Sequence, residues 1–296
     1  PRGPAPPLSV SVIIPALNEE AGIAGAVESA RGLGRVGDDS KPSTRGGVRG
    51  SGQDLGRVLG GRRASSGPRL REVIVVDGGS ADRTRARAWF WGARVLRAEA
   101  CRGRQMNVGA RAARGDILVF LHGDTVLPPG FGKSLEDAGP HLGAGGWGAC
   151  RGLHIGARGL GFRAVEFGAR VRTQLFGLPY GDQGIIVERG LFERVGGFKE
   201  IPLMEDYDLA QRLRREVRPA LLPLAMPASP RRWQRLGPMH CVVLNQALIL
   251  AWSVGVPPEA LAEVYYRGTP LWRAWRQASR RRRRDCQTQR KLSRGV

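Results

Sequence analysis

The chain has 296 residues, 42% of them hydrophobic, and a formal net charge of +21. That supports one large globular domain with appendages, and no stretch approaches the roughly 18–20 apolar residues that a membrane-spanning helix needs. The four cysteines, Cys101, Cys150, Cys241 and Cys286, stand far apart without a CxxC pair, which argues against a disulfide framework or a zinc module and for reduced thiols.

Residues 1–7 are Pro-rich and hold no signal-peptide core. Leu8–Ile14 is β-branched and apolar, ends at Pro15, and predicts a buried strand. Ala16–Glu20 follows as a loop and Ala21–Ala30 as a helix. Residues 33–69 are rich in Gly, Ser and Arg, and residues 31–71 carry ten Lys/Arg against three Asp/Glu. Such a composition buries too little apolar surface to offset chain entropy, so a disordered basic insertion is expected there. Without it, the span from Pro15 to Asp77 shrinks to about 25 residues, an ordinary length for a helix and its turns.

Val73–Val76 predicts a second buried strand ending at Asp77, with Ser80 or Asp82 placed to cap a helix running through Arg83–Gly92. Ala93–Leu96 is a third strand, Asn107–Ala113 a helix, and Asp116–Leu121 a fourth strand ending at His122. This alternation predicts an α/β fold with a mostly parallel central sheet flanked by helices. Ala144–Gly177 gives weak signals. Gly184–Val187 reads as a strand, Leu191–Val195 as a short helix, and Asp206–Arg215 as a helix with Leu209 and Leu213 at helical spacing. The sheet is expected to be complete by Leu224. Gln234–Tyr266 predicts a C-terminal helical extension. Its apolar run Cys241–Val256 reads as a buried amphipathic helix, with an interfacial helix as the alternative.

The boundaries expected are a body at 8–230 interrupted by the insertion at 33–69, a helical extension at 231–273, and an Arg-rich tail at 274–296. Residues 267–296 hold eleven Lys/Arg and one Asp, with an unbroken run at Arg280–Arg284. This tail is either simply solvated or makes peripheral contact with an anionic membrane. Neither basic segment interleaves aromatics as base-stacking platforms do, so nucleic acid is not the expected partner. A cytoplasmic location is expected, with peripheral membrane contact and organelle targeting both left open.

Three acidic stations follow or lie near buried strands: Asp77-Gly-Gly-Ser-Ala-Asp82, His122-Gly-Asp-Thr125 and Met204-Glu-Asp-Tyr-Asp208. Carboxylates at strand ends of an α/β sheet converge on one crevice. That suggests a metal–nucleotide site with a catalytic base. Pro15, Asn18 and Glu19 lie on the loop after the first strand, where Asn and Glu can accept hydrogen bonds from hydroxyls and ring N–H groups; helix capping is the alternative. Asp77 can reach a base or ribose, and Ser80 shares its turn. Arg104, Gln105 and Asn107 follow a glycine at a helix start, a position suited to a diphosphate. Asp124 is the main metal candidate, because hard cations take carboxylate oxygens together with substrate phosphates. Glu205 and Asp206 are the candidates for general base, and an acid-rich helix start is the alternative.

Together these patches resemble the family 2 glycosyltransferases of the nucleotide-diphospho-sugar transferase (GT-A) fold. The match rests on Val12-Ile-Ile-Pro-Ala-Leu-Asn-Glu-Glu20, Val75–Thr84, Phe120–Thr125, and Gly196-Gly-Phe followed by Met204-Glu-Asp206, all in order. Gly103–Gly109, Pro179–Gly184 and Ser229–Trp233 are similar to the soluble radical-SAM/selenodomain-associated branch, also linked to arsenosugar biosynthesis. The resemblance covers about residues 8–270 apart from the insertion.

It implies an inverting transfer from a nucleotide-diphospho-sugar donor to an acceptor hydroxyl, assisted by Mg²⁺ or Mn²⁺. Pro15, Asn18, Glu19, Asp77, Ser80, Arg104, Gln105, Asn107 and Asp124 would hold the donor, and Asp206 would be the base with Glu205 beside it. Asp182, Gln183 and Trp233 would face an acceptor whose identity is not implied. The family's Asp-x-Asp pair is here His122-Gly-Asp124, so His122 is either a metal ligand or a packing residue. The Gln that precedes Arg-Arg-Trp in processive relatives is absent, which does not support polymer synthesis. The rival readings are a nucleotidyltransferase on a similar fold and a non-catalytic basic binding protein on a relic fold.

Overall fold

The computed structural model describes residues 8–33 and 69–266. Nearly all of the expected insertion, residues 267–273 of the extension and the whole Arg-rich tail lie outside the described residues.

Strand β1 (Ser9–Ala16) shows why this segment nucleates a sheet. Its side chains alternate across the pleat: Val10, Val12 and Ile14 enter one core, and Ile13 enters the other. Helix α1 (Ile23–Gly32) covers the first face with Ile23, Ala26, Val27 and Ala30. Strands β2 (Arg69–Asp77), β3 (Arg94–Arg97) and β4 (Ile117–Phe120) then form, separated by α2 (Thr84–Phe90) and α3 (Arg102–Ala112). Helices α4 (Phe131–Asp137) and α5 (Gly139–Gly143) lead into β5 (Trp147–Ile155) and α6 (Leu160–Phe176). β6 (Ile185–Glu188), α7 (Arg189–Arg194), α8 (Glu205–Glu216) and β7 (Ala220–Ala228) complete the body. The extension is α9 (Arg231–Leu236), α10 (Pro238–Ser253) and α11 (Pro258–Tyr266).

The seven strands lie in the order β3-β2-β1-β4-β6-β5-β7. β6 is antiparallel to both of its neighbours, and every other strand pairing is parallel. Two apolar clusters sandwich this sheet. One lies under α1 and α4, the other under α3, α7 and α8, where Phe120, Phe192 and Phe198 form an aromatic knot. A third, smaller cluster joins α10 and α11 to Leu203, Met204 and Tyr207 at the start of α8.

Several expectations need correction. The weakly patterned stretch 144–177 holds a nine-residue strand and a seventeen-residue helix. Gly148 diluted the strand signal, yet it is needed: a Cβ there would lie 2.3 Å from the Ala220 carbonyl oxygen of β7. The sheet is not complete by Leu224, because β7 runs on to Ala228. Pro223 and Pro227 obscured it, and they are tolerated because β7 is the last strand in the order and proline suits an edge.

The extension is three helices rather than one run. Helix α10 buries Cys241 and Leu248 but leaves Met239, Val243 and Leu250 exposed. Among the described residues no helix is long and apolar enough to cross a membrane.

Helix α3 docks against the loop before α8 so closely that a Cβ at Gly103 would lie 2.3 Å from the Lys199 carbonyl oxygen. Backbone cannot yield there as a flexible side chain would. Gly103→Ala is therefore expected to destabilise the fold by about 1–3 kcal/mol, read as a lowered denaturant midpoint. An unchanged midpoint would show that this contact is slack.

Candidate functional site

β2 and β3 lie on one side of β1 and β4 on the other, so the loops leaving β1 and β4 diverge. Open α/β sheets bind ligands at such a switch point. Here the loops are stitched together by side chains. Ser80 Oγ accepts from the Asn18 N–H (2.9 Å), and Asn18 Oδ1 accepts from the Ala81 N–H (2.9 Å). The Glu19 N–H donates to Thr84 Oγ1 (2.8 Å), and Asp82 Oδ1 accepts from the Thr84 N–H (3.0 Å). α2 has no side-chain bond from its own N-cap, Arg83; of the two expected caps, Asp82 accepts from the N–H of the first helical residue, Thr84, while Ser80 makes a loop-to-loop contact instead.

Asp77 is fully buried at the end of β2 and accepts from the Gly79 and Ser80 N–H groups at 3.1 and 3.2 Å. Asn18 has φ 56°, in the left-handed region that Asn tolerates better than most residues.

The His122-Gly-Asp124 turn closes onto this loop. A Cβ at Gly123 would lie 3.1 Å from Glu19 Cγ and 3.3 Å from the Pro15 carbonyl oxygen. Asp124 is exposed, and Glu19 is half-buried nearby. Burial, with the Asp124 charge adding and Arg231 and Arg102 opposing, pushes the Glu19 carboxyl up to about 7. Desolvation, helped by the Arg102 charge, pulls His122 down to about 3, so its imidazole is neutral near neutral pH.

Two carboxyls are hard-donor chemistry suited to Mg²⁺ or Mn²⁺ held jointly with phosphates, while a neutral imidazole is a softer donor that these ions take less readily. The described residues contain no ready-made cage of three or more such side chains. The fit is therefore to a cation that completes its shell with substrate.

A cavity of about 130 Å³ opens beside this crevice. Arg102, His122, Asp182, Glu205, Asp206 and Tyr266 are among its walls. Met204, the residue before α8, has φ 71°. Among the described residues, Met204 and Asn18 are the two non-glycines with positive φ, and both adjoin the candidate site; such strain clusters at functional positions. Asp206 is half-buried and accepts from the Gly181 N–H (Oδ2, 2.7 Å) and the Tyr207 N–H (Oδ1, 2.7 Å).

Glu205 is buried and accepts from Arg102 Nη1 at 3.3 Å. Burial pushes its carboxyl up to about 7 against the Arg102 charge. Burial likewise pushes Asp182 up to about 6, over the opposing Arg172 charge and with Asp206 adding.

The other sequence candidates have different partners. Arg104 pairs with Glu99 and Glu200 at 2.7 Å each. Gln105 is buried and donates to the Ala16 and Val76 carbonyls, tying β1 to β2. Asn107 clasps the Phe198 backbone through both amide atoms. Gln183 is fully buried, its amide engaged by Arg172, Thr173, the Tyr180 N–H and the Cys150 carbonyl. Trp233 sits half-buried on α9 and does not line the cavity. Asp208, from the same acidic cluster, is buried between Lys199 (2.6 Å) and Arg212 (2.7 Å).

Sequence reasoning missed Arg102, Tyr180 and the α10–α11 residues of the cavity. Arg102 is adjacent to the noted Gly103 motif, but nothing in the sequence ties it to Glu205.

Residues 55–139 match the sequence family described as Glycosyl transferase family 2. The match begins inside the basic stretch, takes in Asp77, His122 and Asp124, and stops short of Asp182, Glu205 and Asp206. Among solved structures, the chain is similar to the mannosyltransferase PcManGT from Pyrobaculum calidifontis in complex with GDP-Man and Mn²⁺, at 19% identity and a TM-score of 0.51, covering 93% of this chain and 72% of that one. It is also similar to S. aureus TarS 1–349, at 17% identity and a TM-score of 0.50, covering 80% of this chain and 65% of that one. The chain thus spans less than two thirds of that TarS chain. The fold is the GT-A fold. No curated protein matches the sequence.

The raised Glu205 value fixes the sign of a pH effect. A carboxyl whose folded value lies above its unfolded value near 4.5 contributes its stability below that point and loses it as pH rises through about 7. Glu205→Gln has no carboxyl to ionise. The melting temperature of the variant minus that of the parent should therefore rise as pH climbs from about 4 to about 7. A difference that stays flat would overturn the buried, uncharged state.

Proposed function

We propose that the protein is an inverting glycosyltransferase that uses a nucleotide-diphospho-sugar donor and Asp206 as general base. The observation that carries this reading is the half-buried Asp206 carboxylate, held by two backbone N–H groups in the wall of a cavity that also includes His122, two residues before Asp124.

In this reading an acceptor hydroxyl lies against Asp206. The carboxylate takes its proton as the oxygen attacks C1 of the donor sugar. The bond from C1 to the diphosphate oxygen breaks, the electron pair leaves with the nucleoside diphosphate, and C1 inverts. Glu205 and Arg102, hydrogen-bonded to each other, hold the floor of the cavity. Asn18, Glu19, Pro15, Asp77 and Ser80 frame the nucleoside, and Arg231, whose charge is felt at Glu19, faces the diphosphate. Arg104, Gln105, Asn107 and Gln183 then act as positioning residues. A divalent cation at Asp124, with Glu19 and His122 nearby, would neutralise charge on the leaving diphosphate.

Crystallisation of the similarly folded PcManGT with GDP-Man and Mn²⁺ supports this donor class. The absence of a Gln before Arg231-Arg232-Trp233 supports transfer to something other than a growing polymer.

Two measurements test the reading. Asp206→Asn should lower kcat by about 10²-fold or more while binding of the nucleoside diphosphate stays intact; near-parental turnover would dismiss Asp206 as base. Asp124→Ala should erase the Mn²⁺ or Mg²⁺ dependence of UDP or GDP binding in calorimetry, and an unchanged dependence would dismiss Asp124 as the cation's ligand.

A further inference from the structure

We propose that the acceptor is a small, uncharged, polyhydroxylated molecule the size of a single six-membered ring, bound under α10 and α11 with a hydroxyl donating to Asp182. This rests on the glycosyltransferase reading and deepens it.

Size is the first argument. The cavity measures about 130 Å³, and a cavity of roughly 150 Å³ accommodates one benzene ring. Its α10–α11 wall is Asn245, Leu248, Ile249, Tyr265 and Tyr266. Several of these belong to the apolar cluster that pins α10 and α11 to Leu203, Met204 and Tyr207. Only one ring of a longer acceptor would fit between these walls, and the rest would have to lie outside the mouth of the cavity.

Charge is the second. The described lining has three carboxyls, on Asp182, Glu205 and Asp206, and one cationic side chain, Arg102, already bonded to Glu205. Arg172 behind the wall is spent on the Leu178 carbonyl and Gln183. A phosphate or carboxylate on the acceptor would meet the Asp206 carboxylate and no spare cation among the described lining.

Satisfaction is the third. Asp182 Oδ1 is buried without a hydrogen-bond partner. Buried oxygens are rarely left so, and a neutral hydroxyl supplies the missing donor. The remaining surface combines Tyr180 and Tyr207, edge-to-face at 6.1 Å, with Leu248 and Ile249. Such an apolar wall with a few convergent polar atoms suits the C–H face and hydroxyl rim of one saturated ring.

The test uses the full chain with UDP or GDP and Mn²⁺. Nucleotide binding is followed by calorimetry, and acceptor probes by saturation-transfer NMR and by mass spectrometry of products from a nucleotide-sugar panel. The probes are methyl α-glucopyranoside, methyl α-mannopyranoside and myo-inositol, against glucose 6-phosphate, glucuronate and maltohexaose.

At least one neutral ring should bind or be glycosylated. Asp182→Ala should weaken it about tenfold or more, and Ile249→Trp, which fills the cavity, should abolish it. Nucleotide affinity should stay within about twofold in both variants. Preference for an anionic or oligomeric probe overturns the acceptor class while leaving the glycosyltransferase reading intact, as does nucleotide binding with no response from any neutral ring. Binding of a neutral ring that neither variant disturbs overturns its location. Failure of every nucleotide to bind overturns the glycosyltransferase reading, and this inference falls with it.

Discussion

The site depends on one close approach, that of the Gly181 N–H to the Asp206 carboxylate at 2.7 Å. A Cβ at position 181 would stand 2.7 Å from Asp206 Oδ2 and 3.0 Å from its Cβ, so any other residue would drive the carboxylate from its seat. The contact joins two segments distant in sequence: the turn before β6 and the first turn of α8. β6 is the strand that runs against its neighbours, and this reversal brings the 181–183 turn to the end of the sheet where the β1 and β4 loops diverge. The antiparallel insertion in an otherwise parallel sheet is thus what places Asp182 and Asp206 in one cavity.

Much of the first half was legible because its physics is local. β1, β2 and β4 are apolar and largely buried, with Pro15 near the end of β1, Asp77 at the end of β2 and His122 two residues after β4. The loops after them carry the polar residues that stitch the crevice, and Asn18, Asp77 and Asp124 were readable there as strand-end residues. The second half was harder because its signals are compensated in space. β5 trades side chains for backbone proximity at Gly148, and β7 carries prolines that only an edge can accept. Gln105, Asn107 and Gln183 look like ligand-binding amides in a motif, but an amide serves equally to bridge two buried backbone carbonyls. Only the partners distinguish these uses.

The C-terminal helices show a related trade. α10 is apolar nearly all round, yet it buries only Cys241 and Leu248 fully. Besides packing against α6, it contributes Leu248, Leu244 and Ile249 to the apolar cluster that includes Met204 and Tyr207. Those partners sit on the strained turn that begins α8. Packing of the extension and the left-handed conformation of Met204 are therefore coupled. The same contacts that bury apolar area hold a residue at φ 71° that would otherwise relax, and relaxation would swing Glu205 and Asp206 together. The extension is in this sense part of the site rather than an appendage to it.

Three carboxyls in one cavity raise the question of why one should act as base. Their environments differ. Glu205 is buried and carries an arginine, Asp182 is desolvated with one oxygen unmatched, and Asp206 is half-exposed with both oxygens met by backbone N–H groups. Desolvation pushes Glu205 and Asp182 toward their neutral forms near neutral pH, to about 7 and about 6. A neutral neighbour can donate as well as accept a hydrogen bond, and it reduces the repulsion that a third anion would add. Pairs of acids whose surroundings separate their protonation states are how one cavity assigns distinct roles to like groups. In the proposed reaction the backbone selects the base, and burial withholds its neighbours from the same task.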